Sequence, residues 1–148
     1  MNAPQTRYYE DVQEGMELPP VTKTVTTIQM FLYSAITRNP HRIHYDEKFA
    51  HGEGLPTVLV QGPLQGAQIS AYVTDWMGPG GFLKKLSYSN RGMALPGQPL
   101  TLRGKVTRKH QVDDRPAVDL ELWEENAEGD LLAPASATVL LPSRAKLC

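Results

Sequence analysis

Gly62-Pro63-Leu64-Gln65-Gly66-Ala67-Gln68-Ile69-Ser70-Ala71-Tyr72-Val73-Thr74-Asp75-Trp76-Met77 is the stretch that decides how this chain is put together. Pro63 suits the first position of a helix, because the N–H it lacks would have no partner there. The helix is expected to run to about Trp76 or Met77, where Gly78-Pro79-Gly80-Gly81 stops it. Leu64, Ala67, Ile69, Ala71, Tyr72, Val73 and Trp76 lie on more than one face, the pattern of a largely enclosed helix. Gly62, Gly66 and Ser70 recur at i, i+4 and i+8, a stripe of small residues that lets a sheet approach closely. The C-terminal half of the chain reads as strands: Phe82–Arg91, Pro99–Gln111, Ala117–Glu125 and Leu131–Leu141. Pro96-Gly97, Asp113-Asp114-Arg115-Pro116 and Glu128-Gly129-Asp130 supply the turns, and the alternation of Val118, Leu120 and Leu122 marks a half-buried strand face.

Upstream, Glu17–Val25 reads as an edge strand, since its prolines cannot donate to a ladder on both sides. Thr26 or Thr27 offers an N-cap. Ile28, Phe31, Leu32, Ala35 and Ile36 then fall at helical spacing on one face. Pro40 forces Asn39 out of the α region, so this helix ends by about Arg38. Asp46 can cap a short turn through Ala50, with Gly52 positioned to stop it. The sum is an α+β layout, one antiparallel sheet wrapped around one central α-helix, in a single domain over residues 1–148.

Composition narrows the partners. The chain has 15 Lys+Arg against 16 Asp+Glu, a formal net charge of −1, so no long-range field steers it to nucleic acid or an anionic membrane. No apolar run approaches the ~20 residues a membrane helix needs, and the first residues carry neither a basic nor an apolar targeting region. The one cysteine is Cys148, which excludes an intramolecular disulfide and a thiolate metal cluster and fits a cytoplasmic location.

The polar stretch Thr37-Arg38-Asn39-Pro40-His41-Arg42-Ile43-His44-Tyr45-Asp46 joins the amphipathic helix to the capped turn and holds two of the chain's four histidines. Loops held by rigid elements are where reacting groups usually sit. On spacing alone two readings stand: Asn39 and Pro40 end one helix, Asp46 starts the next and the histidines are ordinary loop residues, or the cluster is a reactive site.

Ile43-His44-Tyr45-Asp46 with Ala50, after an apolar helix and before a Gly-Pro helix start, resembles the hydratase signature of the MaoC-like acyl-CoA hydratases and dehydratases. That signature runs Gly-Asp-x-Asn-Pro-(Ile/Leu/Val)-His-x-Asp, with a small residue four positions after the second Asp. Anchored on Ile43-His44, the resemblance puts the catalytic His on His44, the following Asp on Asp46 and the small residue on Ala50. It also puts the family's catalytic Asp on Asn39, its Asn on His41 and its Pro on Arg42, three departures. Val58-Leu-Val-Gln-Gly62-Pro-Leu resembles the family's approach to its central helix, and the order of elements resembles a hot-dog fold over nearly the whole chain. The Asn-x-His-Arg-Ile-His-Tyr-Asp variant is similar to a branch with mesaconyl-type C4 acyl-CoA hydratases. Tyr72-Val-Thr-Asp-Trp-Met-Gly-Pro, Lys84 and Pro96-Gly97 are similar to the small subunit of heteromeric enoyl-CoA hydratases of steroid side-chain degradation.

The resemblance implies reversible hydration of a 2-enoyl-CoA to an (R)-3-hydroxyacyl-CoA, with coenzyme A carried as part of the acyl-CoA thioester substrate and no cofactor or metal. Such chemistry needs a base on the water and donors for charge on the thioester oxygen. His44 suits the first role, its unperturbed pKa of roughly 6.5 leaving it mostly neutral at cellular pH. Asn39 can place a water but cannot shuttle a proton. His44 then moves the proton alone, or His41, Asp46 or a partner subunit assists. Gly62, at the positive end of the long helix, and Leu64 N–H next are the oxyanion donors the resemblance implies. A plain tight-turn role for Gly62 is the alternative.

Other features read as scaffold. Gly78-Pro79-Gly80-Gly81 follows a helix and precedes a strand, the reverse of a phosphate-cradling loop. Lys84, Lys85, Arg91, Arg103 and Arg108 suit a solvated sheet face more than coenzyme A phosphates, and Trp76 and Trp123 suit a core or interface. His51 and His110 read as ordinary surface or loop residues. An exposed edge strand favours a homodimer or higher homo-oligomer, with a heteromer containing another hot-dog subunit as the alternative. Two other functions compete: a catalytically degenerate acyl-CoA-binding subunit, and a hot-dog thioesterase.

Overall fold

The computed structural model describes residues 5–146; Cys148 lies outside the described residues. Its sheet has five strands in the order β1-β3-β4-β5-β2, every pair antiparallel, with β1 Glu17–Thr24, β2 Phe82–Tyr88, β3 Pro99–Val112, β4 Arg115–Glu125 and β5 Leu131–Leu140. β1 is an edge strand as the prolines required, and Pro19 and Pro20 fall where its register against β3 shifts. β2 is the other edge. It leaves regular pairing after Tyr88, earlier than expected, though Arg91 and Gly92 still donate to the carbonyl of Leu132. The β3–β4 turn is tighter than expected. Asp113 and Asp114 both take positive φ, 50° and 59°, and this two-residue turn returns Arg115 and Pro116 to the ladder.

Three helices complete the fold: α1 Thr27–Thr37, α2 Glu47–Gly52 and α3 Gly62–Met77. Thr26 caps α1 in a reciprocal box with Gln29, and Arg38 ends it in the left-handed region at φ 53°. Asp46 caps α2 by accepting from Phe49 N–H. Ile69, Tyr72, Val73, Trp76 and Met77 of α3 pack on Leu102, Val106, Val118, Leu120, Leu122, Ala137 and Val139 of the sheet. α3 is largely enclosed: of its residues only Pro63, Ala67 and Asp75 are exposed.

A second, smaller core lies under the polar stretch. Val25, Met30, Ala50, Val58, Val60, Ala94, Leu100 and Leu132 are buried together there, with Leu55 and Leu64 against them. α1 reaches this core through Met30, not through its apolar stripe. Ile28, Phe31, Leu32 and Ile36 are 70%, 63%, 51% and 81% exposed, so the periodic face points outward.

Candidate active site

One backbone bond and one side-chain contact tie the polar stretch to the segment that leads into α3. Leu59 N–H donates to the carbonyl of Ile43 at 2.9 Å, and the next side chain, His44, places Nδ1 2.8 Å from the carbonyl oxygen of Leu59. A carbonyl only accepts, so Nδ1 carries the proton and Nε2 of the neutral ring keeps its lone pair. Burial lowers the His44 pKa below its ordinary value; the Leu59 contact opposes this and the neighbouring His41 adds to it. The ring is therefore a neutral imidazole with one nitrogen fixed and no hydrogen bond at the other among the described residues.

Asn39 and His41 belong to the same loop. Asn39 Oδ1 accepts from His41 N–H at 3.3 Å, its Nδ2 amide makes no hydrogen bond among the described residues, and the two imidazoles stand 5.8 Å apart between centroids. Tyr45 closes the loop by donating its hydroxyl to the Pro40 carbonyl at 2.8 Å. Phe31, Ser34, Ala35, Arg38, Asn39 and Tyr45 line a largely apolar groove of about 460 Å³ beside it. Asp46 is occupied otherwise. Its Oδ1 accepts from Phe49 N–H at 3.0 Å, and Oδ2 takes both Arg42 Nε and Nη2, at 3.0 and 2.6 Å, which hold the carboxyl below the usual range.

At the start of α3, Pro63 has no N–H, and Leu64 and Gln65 both donate to the Gln61 carbonyl, at 3.0 and 3.1 Å. Leu64 N–H, expected as a second oxyanion donor, is engaged inside the first turn, where the backbone tightens. Gly62 N–H makes no backbone hydrogen bond among the described residues. Gln61, fully buried, donates Nε2 to the Met30 carbonyl at 2.7 Å and to Ser34 Oγ at 2.9 Å, tying α1 to this helix start.

Three residues that sequence reasoning missed complete the setting. Gln65 Nε2 donates to Glu124 Oε1 at 2.5 Å, and Asn90 Nδ2 donates to Gln65 Oε1 at 2.8 Å. Glu124 was legible: the alternation of Val118, Leu120 and Leu122 continues to position 124, so the carboxyl had to face inward. Ion pairs tie several of the remaining charged side chains together, and His110, expected on the surface or in a loop, lies within β3. Lys84 pairs with Asp113 at 2.8 Å, Arg103 with Glu125 at 2.6 Å, and His110 Nε2 lies 3.1 Å from Asp119. Among the described residues, no three His, Cys, Asp or Glu side chains come together as a metal site, and no helix is long and apolar enough to cross a membrane.

Comparison with known proteins places these observations. The family described as hydroxyacyl-thioester dehydratase type 2 matches residues 3–96. A mesaconyl-C(4)-CoA hydratase of Chloroflexus aurantiacus is 46% identical over 56 residues, which are 33% of this chain and 20% of the relative, so the chain matches about a fifth of that protein's length. The R-hydratase PhaJ1 from Pseudomonas aeruginosa superposes with a TM-score of 0.82 at 20% identity, over 93% of this chain and 86% of the solved one. The ChsH1-ChsH2 complex from Mycobacterium tuberculosis gives a TM-score of 0.76 at 21% identity, over 87% and 98%. At these identities the likeness to the solved structures is one of fold, and the fold is the hot-dog.

Proposed function

The chain belongs to the hydroxyacyl-thioester dehydratase type 2 family, MaoC-like hydratases and dehydratases of hot-dog fold, and on that premise we propose that it hydrates a 2-enoyl-CoA reversibly to a 3-hydroxyacyl-CoA. The observation that carries this reading is the His44–Leu59 contact, which leaves a neutral imidazole with Nε2 unprotonated. A water that accepts from Asn39 Nδ2 and donates to His44 Nε2 is held as a nucleophile. Water adds to the β-carbon as His44 takes its proton, and negative charge moves through the α-carbon to the thioester oxygen. Gly62 N–H, at the positive end of α3, stabilises that charge. His44 then returns the proton to the α-carbon, so the reaction is redox-neutral and its balance needs neither cofactor nor metal.

Asn39 in place of the family's Asp favours a second reading, a degenerate acyl-CoA-binding subunit whose partner supplies the acid. General acid–base help is typically worth about 10²–10⁴-fold, so a site without that Asp is slowed rather than emptied of chemistry. The ChsH1-ChsH2 complex makes a heteromer a concrete form of this alternative. We place the protein in an oligomer because α1 exposes four large apolar side chains on one face.

The test is product analysis of the protein purified alone with 2-enoyl-CoAs of several chain lengths. Gain of one water by the intact thioester supports hydration. Release of free thiol from a saturated acyl-CoA supports the thioesterase, and no reaction with a folded protein supports the subunit.

A further inference from the structure

Glu124 is a buried carboxyl that the hydration chemistry does not use. It is 0% exposed on the inner face of β4 between Leu102 and Ala133, its Oε2 has no hydrogen-bond partner among the described residues, and burial pushes its pKa up. A carboxyl held this way costs stability. Its role is to set the direction of two carboxamides. Oε1 accepts, with Oε2 charged or carrying the proton, so Gln65, 2% exposed, must turn its NH₂ toward it and its oxygen away. That oxygen accepts from Asn90, so Asn90 in turn presents its NH₂ inward and its Oδ1 outward. Oδ1 lies against Gly62: a Cβ on residue 62 would sit 2.4 Å from it. No described group takes a hydrogen bond to Oδ1, and Asn90 is exposed at the surface.

The start of α3 therefore shows a fixed acceptor, Asn90 Oδ1, beside a fixed donor, Gly62 N–H. A thioester oxygen takes the donor. The arm of coenzyme A and of acyl carrier thioesters has a secondary amide N–H two carbons beyond the sulfur, and a plain alkyl thioester has none. We infer that Asn90 is a substrate-positioning residue whose Oδ1 accepts the amide N–H of the thioester arm, and that Gln65 and Glu124 hold its carboxamide in the accepting orientation. The inference rests on the proposed hydration of an enoyl thioester.

The experiment compares two crotonyl thioesters, one of N-acetylcysteamine and one of a straight alkyl thiol of matched length, with wild type, Asn90→Ala, Glu124→Gln and Glu124→Met. Asn90→Ala also removes the donor to the buried Gln65 oxygen, so turnover of the alkyl thioester is the control for any change to the fold. Wild type is expected to prefer the amide-bearing substrate in kcat/KM by roughly three- to tenfold, the worth of one hydrogen bond. Asn90→Ala is expected to abolish the preference by raising KM for that substrate alone. Glu124→Gln, which keeps an accepting oxygen, retains the preference, and Glu124→Met reduces it. Equal loss on both substrates in Asn90→Ala, or an unchanged preference, overturns the inference while wild-type turnover leaves hydration standing. No turnover of either thioester by wild type overturns both.

Discussion

His44 Nδ1 lies 2.8 Å from the Leu59 carbonyl oxygen, so the proton of the neutral ring is on Nδ1 and the proposed basic nitrogen is Nε2. Burial lowers the ring's pKa, which sets the sign of the pH dependence. Hydration is expected to hold level through neutral pH and to fall on the acid side with a midpoint below the unperturbed value of roughly 6.5. The unfolded chain binds the proton more readily than the folded one, so stability from this group is present above pH 6.5 or so and is lost as pH falls toward the folded pKa. A kcat/KM profile from acid to neutral pH checks the first point. A midpoint above the unperturbed value would contradict it.

Restoring the family's acid is expected to raise turnover. Asn39→Asp places a carboxylate on the loop that carries His41 and His44, and a gain of about 10²-fold or more in kcat is the expected result, within the range of one acid–base group. Steady-state kinetics of the variant checks this; an unchanged or lower kcat would mean that this loop does not use an acid there.

Gly62→Ala is expected to act through Asn90. The added methyl group would meet Asn90 Oδ1 at 2.4 Å, so either the carboxamide or the helix start must move. Turnover is expected to fall at least tenfold, and Asn90→Ala in the same chain is expected to restore stability but not activity. Denaturation midpoints and kcat/KM of the two single variants and the double variant form the cycle.

Glu124→Gln removes a buried carboxyl whose pKa burial has raised. The folded chain holds that proton more tightly than the unfolded one, so wild-type stability is full below the unfolded carboxyl value of roughly 4.3 and declines as pH rises through the folded value. The difference in unfolding free energy between wild type and Glu124→Gln is therefore expected to move in favour of the variant as pH rises from 4 to 8. Urea unfolding at a series of pH values checks the trend, and a flat difference would refute it.

The outward face of α1 is expected to be an association surface. Phe31→Glu with Ile36→Lys charges it without touching Met30, the one buried residue of that helix. Light scattering is expected to show a dimer or larger species for wild type and a smaller mass for the double variant. Equal masses would move the contact elsewhere.

Much of the architecture was legible because it is local. Thr26 and Gln29, Asp46, Pro63 and Gly78 each act within a turn of their own position, and the β4 alternation shows its inner face directly. The direction in which α1 faces was not legible, since spacing defines a stripe but not what covers it. At the site, the loop and its histidines could be read from residue types. The Leu59 carbonyl, the Gln61 tie and the Asn90–Gln65–Glu124 chain could not, because each joins residues 15 to 59 positions apart through geometry that no short window contains. Asp46 shows the converse: one residue type served both a capping and a catalytic expectation, and its two oxygens are engaged by Phe49 and Arg42.

The most direct test of the central claim is the loss of enoyl-thioester absorbance when the protein, purified without partners, meets a panel of 2-enoyl-CoAs, with wild type beside His44→Ala. Turnover by wild type that falls by about 10²-fold or more in His44→Ala is the expected result. A folded wild type without turnover on any chain length, or a His44→Ala variant as active as wild type, would contradict a self-sufficient hydratase with His44 as its base.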